Sequence, residues 1–166
     1  LPFETGDYAL VIINTNKPRQ LAESKYNERF AECGATLKLL KQELAVQTLC
    51  EVDLASFENY SYLVSNPVLE RRALHVISEN QRVKDAVIAL QTKDIEVLGK
   101  LMYASHDSLR DNYDVTGREL DTIIELCRAY PGCIGARMTG AGFGGCAIAL
   151  VRKKQVDDFQ FLLRTN

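Results

Sequence analysis

The 166-residue chain has 20 basic and 22 acidic side chains, a formal net charge of −2, and is 46% hydrophobic and 25% charged. These are the proportions of one globular domain, long enough to bury a real core. The charge is well mixed, which argues against a nucleic-acid partner or an anionic membrane surface, since both require a clustered basic face.

No apolar stretch reaches the 18 or so residues of a membrane span, and no signal peptide is visible. The five cysteines, Cys33, Cys50, Cys127, Cys133 and Cys146, are odd in number and scattered, without a C-x-x-C. Beside them stand only His75 and His106, so the spacing is neither that of a zinc site nor that of a disulfide framework. Buried free thiols in a reducing cytoplasm fit this pattern.

In chain order, a turn-rich lead gives way to Tyr8-Ala9-Leu10-Val11-Ile12-Ile13, an apolar, β-branched run that predicts a central strand. Asn14 through Pro18 ends it. A helix is expected over about Leu21–Gln47, with Tyr26, Phe30, Cys33, Leu37, Leu40 and Leu44 on one face. Gly34 inside it costs about 1 kcal/mol relative to alanine, which predicts compensation by close packing. A short amphipathic piece covers Leu54 to Leu63.

Asn66-Pro67 supplies an N-cap and a first-turn proline for a helix to about Leu90. Leu69, Ala73, Val76, Val83, Val87 and Leu90 form its stripe, with polar Asn80 on the same lattice. Asp94 caps the next helix, whose inner face is Ile95, Leu98, Met102, Ser105 and Leu109. The Ser105 hydroxyl is expected to bond back to its own helix. After the Arg110–Val115 link, Thr116-Gly117-Arg118-Glu119 fits a capping box for a helix facing inward with Leu120, Ile123, Ile124 and Cys127. Tyr130-Pro131-Gly132 stops it.

Ile134–Thr139 and Cys146–Val151 read as strands around a glycine loop, and a last amphipathic helix covers about Gln155–Leu163. The order predicts an α+β fold: a ferredoxin-like split β-α-β antiparallel sheet with several helices on one face. One more strand would complete that pattern, so a chain trimmed at its C-terminus is expected.

The loop between the two strands is Gly140-Ala141-Gly142-Phe143-Gly144-Gly145. Four glycines in six positions free the backbone to take positive φ and to lie close against another surface. Its N–H groups can then form a concavity suited to phosphate. The loop also matches G-x-G-x-x-G, but the dinucleotide fingerprint needs a helix opening directly after it, and here a strand follows. No Gly-Lys-Ser or Gly-Lys-Thr is present, which excludes a P-loop. A tight β connection with no ligand is the alternative.

Arg137 through Cys146 closely resembles the third conserved motif of galactokinases, in the GHMP kinase superfamily. Asn14-Thr15-Asn16 through Ser24-Lys25-Tyr26-Asn27-Glu28-Arg29 resembles the segment that opens the C-terminal half of that family. Ser105-His106-Asp107-Ser108-Leu109-Arg110-Asp111-Asn112-Tyr113 resembles another of its signatures. The family's Gly-Glu-His-Thr-Asp sugar motif and Gly-Leu-Ser-Ser-Ser phosphate loop are absent. With them are absent its catalytic Asp, its sugar-binding Arg and its magnesium-holding Ser and Glu.

The resemblance therefore implies that residues 1–166 are a GHMP kinase C-terminal domain with no catalytic or metal-ligating residue of its own. It implies partnership with an N-terminal ATP-binding domain that holds most of the ATP and Mg²⁺, and a cytoplasmic enzyme that phosphorylates α-D-galactose at C1. The chain by itself would be inactive. A non-catalytic, galactokinase-like sugar sensor is the alternative.

By the same resemblance Tyr26 contacts galactose, whereas its place on the apolar stripe alone suggests a core tyrosine. Gly140, Ala141, Gly142, Phe143, Gly144 and Gly145 form the active-site glycine loop. Arg137 could face phosphate or make a structural ion pair. His106 could donate to a substrate or simply pack. Asp111 and Asp114 could bind Mg²⁺ or serve as caps and solvated carboxylates.

Overall fold

The computed structural model describes residues 3–17 and 22–165, with the side chains of residues 22–24 left out. Pro18, Leu21 and the Ser24 side chain, all used in the sequence reading, lie outside what is described.

Three antiparallel strands, β1 (Tyr8–Asn14), β2 (Cys133–Thr139) and β3 (Cys146–Arg152), form one sheet in the order β1-β3-β2. The split β-α-β arrangement is therefore present. The β1 edge away from β3 has no strand partner among the described residues.

Pairing sets Val11 opposite Ala149 and Ile13 opposite Ala147 on one side of β3, with Ala136 opposite Ala149 and Met138 opposite Ala147 on the other. Because side chains alternate along a strand, these residues share one face of the sheet. A register shift between Cys133 and Gly135 turns the start of β2 and breaks its alternation.

That face is covered by α5 (Arg118–Ala129) and α6 (Val156–Thr165). Leu120, Ile124 and Cys127 of α5 and Phe159 of α6 are completely buried there. Burying a side chain such as Phe159 stabilises by about 1.5–3 kcal/mol, which anchors the short last helix.

The helices divide between the two faces, because the opposite face is also apolar. Leu150, Ile148 and Ile134 are covered by α4 (Ile95–Ser108) and the end of α3 (Pro67–Gln91), through Leu98, Met102 and Ala89. Gly99 of α4 meets Gly135 of β2 so closely that a Cβ on Gly135 would lie 2.3 Å from the Gly99 Cα. A second core, away from the sheet, joins α1 (Ala22–Leu40), α2 (Leu54–Tyr60) and α3 through Leu40, Phe57, Ala73 and Ile77.

The expected helix starts are found at Asn66, whose side chain accepts from the Val68 amide, and at Asp94, which accepts from Val97. Several local expectations are corrected. The first helix ends at Leu40 rather than near Gln47, and Leu44 joins the second core from the turn that follows. Gly34 has nothing within 4 Å of where a Cβ would stand, so no close packing compensates it.

Thr116 caps nothing: it is buried, and Gly117 at φ 97° is the N-cap of α5. Ser105 donates to Glu79 of α3 at 2.6 Å, not to its own helix. Asn80, the polar residue on the α3 stripe, donates to the Cys50 carbonyl at 2.8 Å. Val83 on that stripe is exposed.

Candidate functional site

The glycine loop joins β2 to β3 at one end of the sheet. Gly140, Gly142, Gly144 and Gly145 all have positive φ, between 82° and 105°, and Phe143 joins them at 57°. Side chains rarely accept such a path, which accounts for the glycines. Phe143 tolerates it because its ring packs into the core under α5 and α6.

The loop is held from two directions. Thr15, just past β1, donates both its amide and its hydroxyl to the Gly145 carbonyl, each at 2.9 Å. From the α4–α5 connection, the Val115 carbonyl accepts the Phe143 amide at 2.8 Å.

The two inner glycines are explained by the domain itself. A Cβ on Gly142 would stand 2.0 Å from the Val115 oxygen, and one on Gly144 would stand 3.1 Å from the Lys17 oxygen. The loop is walled on that inner side by its own backbone neighbours. Gly140 and Ala141 form its exposed tip.

Tyr26 lies near the start of α1 and is 64% exposed, with Phe30 one turn on at 73%. The core-tyrosine alternative fails, and so does the inward placement of Phe30. Between these two residues, Arg29 turns the other way and is buried. It donates from Nε to the Tyr113 carbonyl at 2.7 Å, and it pairs with Glu32 at 2.8 Å and with Asp114 at 3.1 Å.

Arg137 lies on the sheet face toward α3. Its Nη1 pairs with Glu79 at 3.2 Å and its Nε donates to the Met138 carbonyl at 3.0 Å. The guanidinium is thus taken up by a carboxylate rather than left free for phosphate. Glu79 also pairs with Arg82 at 2.6 Å. Burial works to raise the Glu79 carboxyl, but the Ser105 hydroxyl and the two arginines outweigh it and hold it below its ordinary value.

Asp111 pairs with Arg110 at 2.7 Å, and Asp114 pairs with Arg29 and Arg72. The two carboxylates are not turned to a common point. Among the described residues no group of three or more His, Cys, Asp or Glu side chains could hold a metal ion.

His106 is fully buried at the strand leading into the loop. Its Nδ1 accepts the Met138 amide at 3.3 Å, and its Nε2 lies 3.2 Å from Asp121 Oδ1, close but not aligned as a hydrogen bond. Burial pushes its pKa down, although Asp121 pulls the other way. It is a neutral packing residue tying α4, α5 and β2 together.

Sequence reasoning missed His75. This residue stacks on Tyr113 at 4.4 Å between ring centroids and bonds through Nδ1 to Ser108 at 2.9 Å. A groove of about 830 Å³ lies along the free edge of β1, between α5 and α6, and reaches Thr15 and Asn16. Its floor is a sheet edge with no strand partner among the described residues.

Residues 86–161 match the family model described as GHMP kinases C terminal. Over 160 residues, 96% of the chain, the sequence is 54% identical to a galactokinase of Staphylococcus carnosus, of which it covers 41%. A galactokinase of Enterococcus faecalis is 51% identical over 159 residues, again 96% of the chain and 41% of the relative. The chain thus spans about two fifths of the length of the curated relatives it matches.

Among solved structures, Lactococcus lactis galactokinase complexed with galactose superposes with a TM-score of 0.94 at 48% identity, covering 98% of this chain and 42% of that one. Leishmania major mevalonate kinase in complex with R-mevalonate superposes with a TM-score of 0.57 at 26% identity, covering 96% and 38%.

Proposed function

We infer that this chain, whose residues 86–161 match the GHMP kinases C-terminal family model, forms the C-terminal half of a galactokinase. The reaction is transfer of the ATP γ-phosphoryl group to the C1 hydroxyl of α-D-galactose, giving galactose 1-phosphate and ADP. The observation that carries this reading is the superposition on a galactose-bound galactokinase over nearly the whole chain, with a TM-score of 0.94. A sensor reading has no observation in its favour.

Phosphoryl transfer depends mainly on positioning and on fixed donors that meet developing charge. In this reading the Tyr26 phenol, exposed on α1, hydrogen-bonds galactose. The bare backbone at Gly140 and Ala141 lies against the sugar and phosphate. The anchors at Thr15 and Val115 fix the loop before substrate arrives, so little reorganisation is needed during the reaction.

The described residues do not fit a Mg²⁺ site, since Asp111 and Asp114 are both engaged by arginines. The metal, most of the ATP contacts and the catalytic carboxylate are assigned to an N-terminal domain, with the enzyme working in the cytoplasm.

The test is an assay of the protein that contains this chain, with ATP, Mg²⁺ and a panel of hexoses. Galactose-dependent ADP release with a sugar 1-phosphate as product is expected, and residues 1–166 alone should give none. Preference for another sugar, or turnover by the isolated chain, would overturn the reading.

A further inference from the structure

We propose that Arg29, Arg72 and Asp114 form a positioning lock between the helix carrying Tyr26 and the segment that seats the glycine loop. The catalytic consequence rests on the galactokinase reading above; the lock itself rests on geometry.

The two guanidiniums are almost wholly buried, with side chains 3% and 5% exposed. Beside their carboxylate partners, three of their donors go to main chain. Arg72 Nη1 donates to the Asn112 carbonyl at 2.5 Å, Arg29 Nε to the Tyr113 carbonyl at 2.7 Å, and Arg29 Nη2 to the Asp114 carbonyl at 3.3 Å. Three consecutive carbonyls are therefore held from two helices.

The Asp114 carboxylate accepts from both arginines, at 3.1 and 3.3 Å. Glu32 balances the charge from the other side, at 2.8 Å from Arg29 and 3.0 Å from Arg72. An isolated ion pair would hold only side chains, whereas this arrangement fixes backbone.

What it fixes is the approach to Val115. Asp114 takes φ 56°, a left-handed turn that aspartate and asparagine accept better than most residues. The next carbonyl, that of Val115, accepts the Phe143 amide at 2.8 Å and stands where a Gly142 Cβ would be.

Arg29 follows Tyr26 by three residues, about one helical turn. A single connection thus runs from the Tyr26 helix through Arg29 and Asp114 to Val115 and the loop. It sets the spacing between the sugar-side phenol and the exposed tip at Gly140 and Ala141. Reacting groups must be held to within about 1 Å for full rate, so loosening this spacing should appear in turnover more than in binding.

The test uses Asp114→Asn, which keeps the left-handed turn and one acceptor oxygen, and Arg72→Lys, which keeps the charge but loses the fork. Arg110→Ala, which removes a partly exposed pair with Asp111, is the control. Two readouts are taken on the protein containing this chain.

Hydrogen exchange at the Phe143 amide should quicken by about tenfold in both variants, while amides in the middle of β3 stay protected. The kcat for galactose should fall by about tenfold, with KM for galactose and for ATP each within about twofold. Unchanged exchange at Phe143 would overturn the lock. Faster exchange with unchanged kcat would overturn its role in positioning. A wild-type protein with no galactose-dependent turnover would sink the galactokinase reading and the catalytic role with it, while the exchange result still decides the lock.

Discussion

The Val115 carbonyl accepts the Phe143 amide at 2.8 Å, and the same oxygen occupies the space beside Gly142, 2.0 Å from where a Cβ would stand. One backbone atom therefore both anchors the glycine loop and excludes a side chain at Gly142. Gly142→Ala should destabilise the protein by about 2 kcal/mol or more, because a backbone neighbour cannot swing aside and φ is 82°. Denaturant unfolding measures this. A change below about 0.5 kcal/mol would show that the loop shifts freely.

Gly34 gives the opposite sign. It sits within α1 with open space around it and no positive φ. Gly34→Ala should raise stability by about 0.5–1 kcal/mol, through helix propensity and the lost freedom of the unfolded chain. A loss of stability in the same unfolding experiment would mean that an unseen neighbour needs the space.

Gly99 and Gly135 allow helix and strand to touch. A Cβ on Gly99 would stand 2.4 Å from the Ile134 oxygen. Gly99→Ala should cost about 1–3 kcal/mol as α4 is pushed off β2, read as a lower denaturation midpoint. An unchanged midpoint would contradict the close packing.

These three glycines show where sequence reasoning works and where it stops. The loop was legible, because four glycines between two apolar β-type runs have few other uses. The caps at Asn66 and Asp94 were legible for the same local reason. Gly34 and Gly99 look alike in sequence, each a glycine on a helical pattern, and only the tertiary neighbour separates them.

The stripe failed at Tyr26 and Phe30 because a regular three–four spacing does not say which turns of a helix have something to pack against. Thr116 looked like a cap but is buried, since Gly117 alone can take the φ of 97° required there. The network of Arg29, Arg72 and Asp114 joins residues as far apart as 85 positions and has no local signature. The resemblance pointed to the family and to Tyr26 as a sugar contact, but it carried no information on what holds the loop.

His75 gives the structure a pH dependence. Burial lowers its pKa from the ordinary 6.5 to about 4, with Glu79 opposing and Arg82, Arg137 and Arg72 reinforcing the shift. A histidine whose folded pKa is depressed contributes stability that is complete above about pH 6.5 and is lost as pH falls toward 4. Between pH 7.5 and pH 5 the loss should be about 2 kcal/mol. His75→Gln should flatten that part of the profile, leaving the smaller slope from His106. A wild-type and variant pair with parallel profiles would contradict a neutral, buried His75.

The most direct test of the central claim is the kinetics of Tyr26→Phe in the protein that contains this chain. Removing one hydroxyl from an exposed phenol leaves the fold untouched and, in the galactokinase reading, deletes about one hydrogen bond to the sugar. KM for galactose should therefore rise by roughly 3- to 10-fold, while KM for ATP stays within about twofold. An unchanged galactose KM, or an equal rise for ATP, would contradict the placement of this chain on the sugar side of a galactokinase.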